Sequence, residues 1–283
     1  MNPELDSLWK GNLARLEPYW SQVFNELGNT SSVLPMFGLG DDGLANASSF
    51  TTRQSHTNGI EAVFTWSEAP SAFDTAFDPT DEANWQGIVP VLKFNQRDEE
   101  ADSPNNAYWS RDDSGSNPFS VGCWIKITGS GAFQNIFSKF RNTSTQLREW
   151  TFGIDSSEKL RFLVTDESAG VSAFRLGDST IPTDNWRLLV ATYDSAGGSA
   201  AANGMTLYNN GEVEASTATN NGSYVAMEAS AALVNLGMLE VASGTLGSTL
   251  AGGPFGPFFT QVELTAAQVK NLYVLGRAAM GLK

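Results

Sequence analysis

The sequence predicts a mainly β protein, an antiparallel sandwich or barrel preceded by an N-terminal helix and arm. From residue 86 onward, short apolar stretches are separated by turns rich in Gly, Asn, Asp and Ser, which is typical of many short strands. Asn210-Gly211 lies between two such stretches. Because both residues tolerate a positive φ, this pair indicates a type I′ hairpin.

Residues 4–27 have a helical pattern. Apolar residues recur at three- and four-residue steps, and Pro18 is expected to divide the stretch into two helices. One face of this pattern carries Leu8, Trp9, Leu13, Leu16 and Trp20. Such a face packs either on its own domain or, as an anchor, on a partner chain.

Residues 29–85 are weakly patterned, and within them Ile60–Trp66 is the stretch that resembles a strand. A compact domain seldom contains so long a stretch without structure. We therefore expect residues 1–85 to form an N-terminal helix and an extended attachment arm. Residues 86–283 are expected to fold as a separate β domain.

The predicted strands of this domain are short, and Trp124 and Trp186 are expected to be buried in it. Ser195–Asn203 is expected to be a flexible loop. Thr265 and Gln268 have the spacing of a capping box, which predicts a closing helix near Thr265–Arg277. The strands are Ile88–Phe94, Ala107–Ser110, Phe119–Ile127, Phe133–Phe140, Trp150–Asp155, Lys159–Thr165, Val171–Leu176, Trp186–Tyr193, Met205–Asn209, Glu212–Ser216, Ala232–Met238 and Phe255–Gln261.

Composition excludes several functions. The 283 residues carry a net charge of −14, which disfavours nucleic acids and anionic membranes as partners. One Cys and one His leave no disulfide and no multi-His or Cys-based metal site within one chain. The N-terminus lacks the pattern of a signal peptide, and no run of about 18 apolar residues predicts a membrane span. We therefore expect synthesis in a cytoplasm.

The carboxylates do not form a recognisable catalytic pair. Glu212 and Glu214 come closest, but they flank a hairpin, so we expect a solvated face rather than the acid and nucleophile of a glycoside hydrolase. His56 lies in a polar loop and is expected on the surface. Cys123 lies on a core strand and is expected to be a buried, inert thiol.

Several segments resemble concanavalin A-like lectin/glucanase domains of the laminin G-like type, in the family's order. They cover residues 86–283, and the resemblance implies a two-sheet antiparallel jelly-roll sandwich. Some such domains bind Ca²⁺ through loop oxygens, for which Asp112, Asp113, Asp155, Asp166 and Asp194 are candidates by type, although no cofactor is expected. The segments are Phe119–Ile125 (FSVGCWI), Ile136–Lys139 (IFSK), Ile181–Asp194 (IPTDNWRLLVATYD), Gly204–Glu212 (GMTLYNNGE), Val234–Gly237 (VNLG) and Leu264–Tyr273 (LTAAQVKNLY).

A second resemblance concerns the setting. Phe94–Pro104, Ala107–Asp113 and Ala251–Phe259 look like laminin G-like proteins of tailed-bacteriophage virions. This resemblance implies a non-enzymatic virion protein, such as a capsid decoration or other particle-surface protein. The arm would attach it to a major capsid or tail protein or to other copies of itself, and the lectin-like domain would face solvent.

A carbohydrate-binding or adhesion module that recognises host-surface glycans is the alternative function. It requires exposed aromatic side chains, and Tyr108, Trp109 and Tyr224 are the candidates. A glycoside hydrolase is the third and least favoured hypothesis. The virion and lectin hypotheses overlap, because a virion lectin would satisfy both.

Overall fold

A computed structural model gives the fold and describes part of the chain. The described residues are 19, 21–28, 31–33, 49–51, 53–54, 63–66, 85–86, 89–90, 94–95, 101–113, 115–129, 131–143, 145–237, 239–242, 245–247 and 251–283.

The strands are short, as predicted, and two helices flank them: α1 (residues 21–27) and α2 (Ala266–Ala279). In chain order the strands are β1 (Ser31–Val33), β2 (Ser49–Thr51), β3 (Arg53–Gln54), β4 (Val63–Trp66), β5 (Trp85–Gln86), β6 (Val89–Pro90), β7 (Phe94–Asn95), β8 (Ala101–Ser103), β9 (Phe119–Ile127), β10 (Gln134–Asn142), β11 (Gln146–Ile154), β12 (Lys159–Asp166), β13 (Val171–Thr180), β14 (Trp186–Tyr193), β15 (Met205–Asn209), β16 (Glu212–Val213), β17 (Ser216–Thr219), β18 (Val234–Leu236), β19 (Leu239–Ala242), β20 (Thr245–Gly247) and β21 (Ala251–Thr260).

Two mainly antiparallel sheets form a sandwich, as the resemblance to the jelly rolls implied. The first sheet has the order β16-β15-β14-β9-β21-β1-β3, with β7 also paired to β21. The second has the order β17-β13-β12-β11-β10-β18-β8-β4-β2. Strand β19 also pairs with β10, and β20 pairs with β19. Many neighbours in this order are distant in sequence, so the fold depends on long-range pairing.

Aromatic rings from both sheets fill the space between them. Phe119 and Phe259 belong to the first sheet, and Trp150 and Phe137 belong to the second. The ring of Phe259 stacks on Phe119 at 5.4 Å and on Trp150 at 5.5 Å. Trp109 packs edge-on against Phe259 at 5.4 Å and Phe137 at 5.9 Å. Large rings suit this position because facing sheets lie about 10 Å apart.

The outer face of the first sheet is covered by α2. Its capping box is confirmed, since Gln268 N donates to Thr265 Oγ1 and Thr265 N donates to Gln268 Oε1. The ring of Tyr273 stacks on the buried Trp124 of β9 at 5.5 Å. Gly276 lies directly over this indole, because a Cβ at this position would approach Trp124 Nε1 to 2.0 Å. Strand β9 is therefore covered on both faces, which explains its almost continuous burial.

Helix α1 packs beside α2, and its Val23 and Leu27 are buried. Thr260 Oγ1 donates to Leu27 O at 2.7 Å, and Gln268 Nε2 donates to Glu26 O at 2.8 Å. The helical stripe of the N-terminal segment thus packs on its own domain where it is described. In the described part of the chain, no helix is both long and apolar enough to cross a membrane.

Residues before Trp85 contribute strands to both sheets. Strand β1 pairs with β21 and β3 in the first sheet, and β4 pairs with β8 and β2 in the second. The described part of the predicted arm therefore pairs with the β domain, and the expected boundary at residue 85 is crossed by hydrogen bonds. The proposed anchor residues lie outside the described part of the chain; these are Leu8, Trp9, Leu13, Leu16 and Trp20.

Most predicted strands are present, and β9, β14 and β15 have the predicted bounds. The hairpin is confirmed, since Asn210 and Gly211 have φ of 55° and 79°. Three predictions need correction. Glu212–Ser216 is divided, because β16 pairs in the first sheet and β17 in the second. Ala107–Ser110 is mainly a turn, and most of the predicted flexible loop Ser195–Asn203 belongs to a 3-10 helix, Gly198–Gly204.

Replacing Trp124 with Ala should lower the free energy of unfolding by about 3–5 kcal/mol, because the change leaves a cavity beneath α2. Trp186→Ala is the matched control and should cost less, since Trp186 is only partly buried rather than buried as expected. Urea unfolding followed by circular dichroism measures both losses. Equal losses in the two variants would contradict this account of α2 packing.

Candidate functional site

Several loops meet at one end of the sandwich. Strands β12 and β14 end there at Asp166 and Tyr193, and residues 111–118 lead into β9 at the same end. The connection between β17 and β18 also passes over this end. Its residues 223–230 are called the rim loop below. Loops of this kind, held by a rigid sheet scaffold, commonly carry binding function.

Asp113 binds the first part of the rim loop. Its Oδ2 accepts hydrogen bonds from the Tyr224 hydroxyl and from Met227 N, the latter at 3.0 Å. Asp113 is 7% exposed. Gly197 allows the close approach of the neighbouring loop, since it has φ of 61° and a Cβ there would lie 2.9 Å from Asp113 Cβ. Asp113 therefore joins three loops.

Asp166 binds the same loop from the second sheet. Its Oδ2 accepts hydrogen bonds from Val225 N at 2.8 Å and Ala226 N at 3.3 Å. Its Oδ1 accepts from Ala169 N at 2.8 Å and Ser168 Oγ at 3.1 Å. A carboxylate with this many donors is an effective backbone clamp.

A buried ion pair holds the last residue of the rim loop. Lys139 Nζ lies 2.6 Å from Glu149 Oε1, and both side chains are fully buried. Ser230 N donates to Glu149 Oε1 at 2.6 Å, and Lys139 Nζ donates to Ser230 O at 2.7 Å. Both backbone polar groups of Ser230 are therefore satisfied by this pair.

A β-bulge places Glu149 in the interior. Lys139 pairs with Trp150 and Phe140 pairs with Arg148, so Glu149 is the extra residue of β11. Simple alternation along the strand would direct Glu149 to the side opposite Trp150. The bulge redirects the carboxylate toward Lys139, as bulges commonly do at sites where a side chain must be re-aimed.

The two aspartates have different electrostatic environments. Burial raises the pKa of Asp113, although the hydrogen bonds from Tyr224 and Met227 act in the opposite direction. Burial also acts to raise the pKa of Asp166, but the backbone N–H groups of residues 169, 225 and 226 outweigh it, and the pKa is lowered. The charge of Asp166 is thus stabilised by the backbone groups that it holds.

The exposed surface of the rim mixes apolar and polar groups. Val225 is 70% exposed and Leu233, just after the loop, is 38% exposed. Ser223 is also exposed, and Glu228 Oε2 accepts a hydrogen bond from Ser168 N at 2.9 Å. The loop therefore offers an apolar side chain beside hydrogen-bonding groups, on a backbone fixed from below.

The three aromatic residues expected to bind sugar are not exposed. Tyr108, Trp109 and Tyr224 are 5%, 1% and 1% exposed, so no ring face is available for stacking. Tyr108 and Trp109 fill the core, and the Tyr224 hydroxyl binds Asp113. The expectation of an aromatic sugar platform at these positions is therefore corrected, because the interior of the sandwich takes up the large rings.

The hairpin glutamates have unequal environments. Glu212 is exposed and forms an ion pair with Lys270. Glu214 is buried, which corrects the expectation of a solvated face, and its Oε1 accepts from Ser179 N at 3.0 Å. Cys123 is buried, as predicted, and burial raises the pKa of its thiol. His56 lies outside the described residues.

The candidate calcium ligands do not converge. Asp155 lies at the opposite end of the sandwich, where its Oδ1 accepts from Ser157 N and Lys159 N, each at 2.9 Å. Asp194 Oδ1 accepts from Ala196 N at 2.9 Å. Asp113 and Asp166 bind the rim loop. Within the described ranges, no three His, Cys, Asp or Glu side chains are grouped as metal ligands.

Sequence reasoning missed Lys139, Glu149 and the clamping role of the aspartates. Lys139 is a charged residue close to Ile136, Phe137 and Phe140 in its strand, which is a usable signal of a buried partner. The partner could not be identified, because the bulge that turns Glu149 inward leaves no mark in the sequence pattern.

The chain belongs to the concanavalin A-like lectin/glucanases superfamily, whose family model matches residues 101–244. No curated protein matches it in sequence. Among solved structures, it is similar to the binding domain of botulinum neurotoxin serotype G, with 14% identity and a TM-score of 0.47 over 66% of this chain and 43% of that one. The match thus spans less than half of the toxin domain.

Two further structures are similar in the same way. Domain 4 of a GH43 extracellular arabinanase from Geobacillus stearothermophilus, in complex with arabinotriose, shows 15% identity and a TM-score of 0.44, covering 78% of this chain and 83% of that one. The CBM40 of Ruminococcus gnavus IT-sialidase, bound to α2,3 sialyllactose, shows 13% identity and a TM-score of 0.43, covering 56% and 82%.

Lys139→Met should lower the free energy of unfolding by about 3–5 kcal/mol, because it leaves the Glu149 carboxylate buried without its counter-charge. The double variant Lys139→Met/Glu149→Leu should recover much of this loss. Lys270→Met is the control, since its partner Glu212 is exposed, and should change stability by about 1 kcal/mol or less. Urea denaturation measures all three. A single variant no less stable than the double would contradict the account.

Proposed function

We propose that the protein is a non-enzymatic, lectin-like module that recognises glycans through the rim loop. The observation that carries the proposal is the fixation of this loop by buried charges. Val225 N, Met227 N and Ser230 N bind the carboxylates of Asp166, Asp113 and Glu149, respectively. A loop that is already ordered loses less conformational entropy on binding, so more of its contact energy becomes affinity.

The chemistry of the rim supports a sugar as the ligand. Sugars present apolar C–H faces together with hydroxyl groups, and binding sites for such molecules combine apolar surface with a few placed polar groups. Val225 supplies exposed apolar surface, and Ser223 is exposed in the same loop. Ser168 is also exposed, and its N–H donates to Glu228 of this loop. The side chains that clamp the loop are buried beneath these groups and leave the surface free for ligand.

The absence of enzymatic activity is part of the proposal. Retaining glycoside hydrolysis needs an acid and a nucleophile about 5–5.5 Å apart, facing one cleft. Glu212 is directed to Lys270 at the surface, whereas Glu214 is buried and bound to the backbone of β13. Asp113, Asp166 and Glu149 each bind backbone donors of the rim loop. These carboxylates therefore support structure rather than proton transfer.

Glycan binding should depend on the rim loop and not on the hairpin edge. Val225→Glu places a charge on the proposed surface, and Val213→Glu is its matched control on β16, where Val213 is 60% exposed. We expect the native protein and Val213→Glu to bind the same glycans on an array, and Val225→Glu to lose them. Titration by calorimetry then quantifies the hits.

Two outcomes would contradict this proposal. If the native protein binds no glycan above background, the module is not a lectin. If the two valine variants bind equally well, the recognition surface lies elsewhere.

The second proposed role is that of a particle-surface protein of a tailed bacteriophage. Its specific support is the resemblance of Phe94–Pro104, Ala107–Asp113 and Ala251–Phe259 to laminin G-like virion proteins. In this setting the N-terminal apolar stripe would bind a major capsid or tail protein, or another copy of the chain, and the rim would face solvent and host glycans.

Attachment should depend on the N-terminal stripe. Trp9→Ala/Trp20→Ala in the full chain is expected to fold normally but to be missing from purified particles, because the two largest apolar anchors are lost. Deletion of residues 1–85 is unsuitable, since it also removes β1 and its pairing with β21. Immunoblotting of purified particles compares the amount of incorporated variant with that of the native protein. Normal incorporation of the variant would exclude this role of the stripe.

A further inference from the structure

Arg161 occupies the outward face of the second sheet, at the opposite end from the rim. Its strand neighbours Leu160 and Phe162 are buried in the core, so alternation places Arg161 on the other face. The residue opposite it on β11 is Gly153 and the one on β13 is Leu176. Neither neighbour has a side chain that can accept a hydrogen bond.

Two aromatic rings flank the guanidinium. Its central carbon lies 4.5 Å from the ring centre of Phe174 and 5.5 Å from that of Phe133. Both rings and Arg161 are partly exposed. Rings interact with the charge of a guanidinium through their faces, but the N–H donors lie in its own plane. The two rings therefore position the guanidinium without accepting hydrogen bonds from its N–H groups.

Among the described residues, Arg161 Nε has no hydrogen-bond acceptor, whereas other arginines of the sheet have one. This Nε is buried. By contrast, Arg148 binds Glu167, and Arg175 Nε donates to Ser216 Oγ. Asp155 supplies a favourable charge, but its Oδ1 is bound to the backbone of its own hairpin.

Burial without an acceptor is costly for a charged group. Burial lowers the pKa of Arg161, and Asp155 only partly opposes this. A planar anion that lies in the guanidinium plane, against the two terminal Nη groups, would form two parallel charge-assisted hydrogen bonds, the strongest type available to Arg. The apolar body of the same ligand would contact the ring edges of Phe133 and Phe174.

We propose that Arg161, Phe133 and Phe174 form a second binding site, for a ligand that carries a carboxylate, and specifically for an acidic sugar. The choice of a sugar over other carboxylates rests on the proposed lectin function. The site itself does not, because it lies away from the rim loop. The net charge of −14 does not prevent it, since distant charges are screened beyond about 8 Å at physiological salt.

Titration of the full chain with glucuronate, glucose and glucose 6-sulfate tests the site. In NMR spectra, the guanidinium N–H resonances of Arg161 should shift with glucuronate and not with glucose. Arg161→Lys keeps the charge but loses the planar guanidinium, so its affinity for glucuronate should fall about tenfold or more. Arg161→Gln also loses the charge and should not bind glucuronate. Arg141→Lys is the control, because Arg141 is a surface residue that donates to Thr145 O.

Three results would overturn the proposal. They are equal glucuronate affinity in Arg161→Lys and native protein, no shift of the Arg161 guanidinium resonances with glucuronate, and binding of glucose 6-sulfate alone. Val225→Glu distinguishes the two sites. This variant should bind glucuronate as the native protein does, even if it no longer binds glycans on the array. If it loses both, glucuronate binds at the rim loop, and the second site is overturned.

Discussion

The space between the two sheets must be filled, and this packing requirement determines much of the structure. Phe119, Trp150 and Phe259 stack across the gap, and Trp109 completes the layer from a turn outside the strands. The Trp150 indole also donates to Trp109 O at 3.2 Å, which fixes this turn. Because Trp109 is held in the core, the four residues that follow it are carried to the end of the sandwich.

That placement connects the core to the candidate site. Asp113, four residues after Trp109, reaches the loops that follow β14 and precede β18. Asp166 and the Lys139–Glu149 pair reach the same rim loop from the second sheet. Buried carboxylates need donors, and the backbone N–H groups of a loop without regular structure need acceptors. The carboxylates and the loop N–H groups satisfy each other, and the loop becomes ordered without secondary structure of its own.

The sequence predicted what depends on local pattern. Strands β9, β14 and β15, the Asn210-Gly211 turn and the Thr265 capping box follow from alternation, turn chemistry and capping. The errors have physical causes. Tyr108 and Trp109 resemble a surface aromatic pair in sequence, but both rings are buried because they fill the space between the sheets. The bulge at Glu149 and the division of β16 from β17 depend on pairing with distant strands, which local pattern does not encode.

The central claim is that buried charges hold the rim loop in one conformation, and amide hydrogen exchange of the native protein tests it most directly. The amides of Val225, Met227 and Ser230 bind carboxylates, so they should exchange as slowly as amides of β14. Exchange of these three amides at the rate of an unprotected chain would contradict the claim, because the loop would then not be fixed before it meets a ligand.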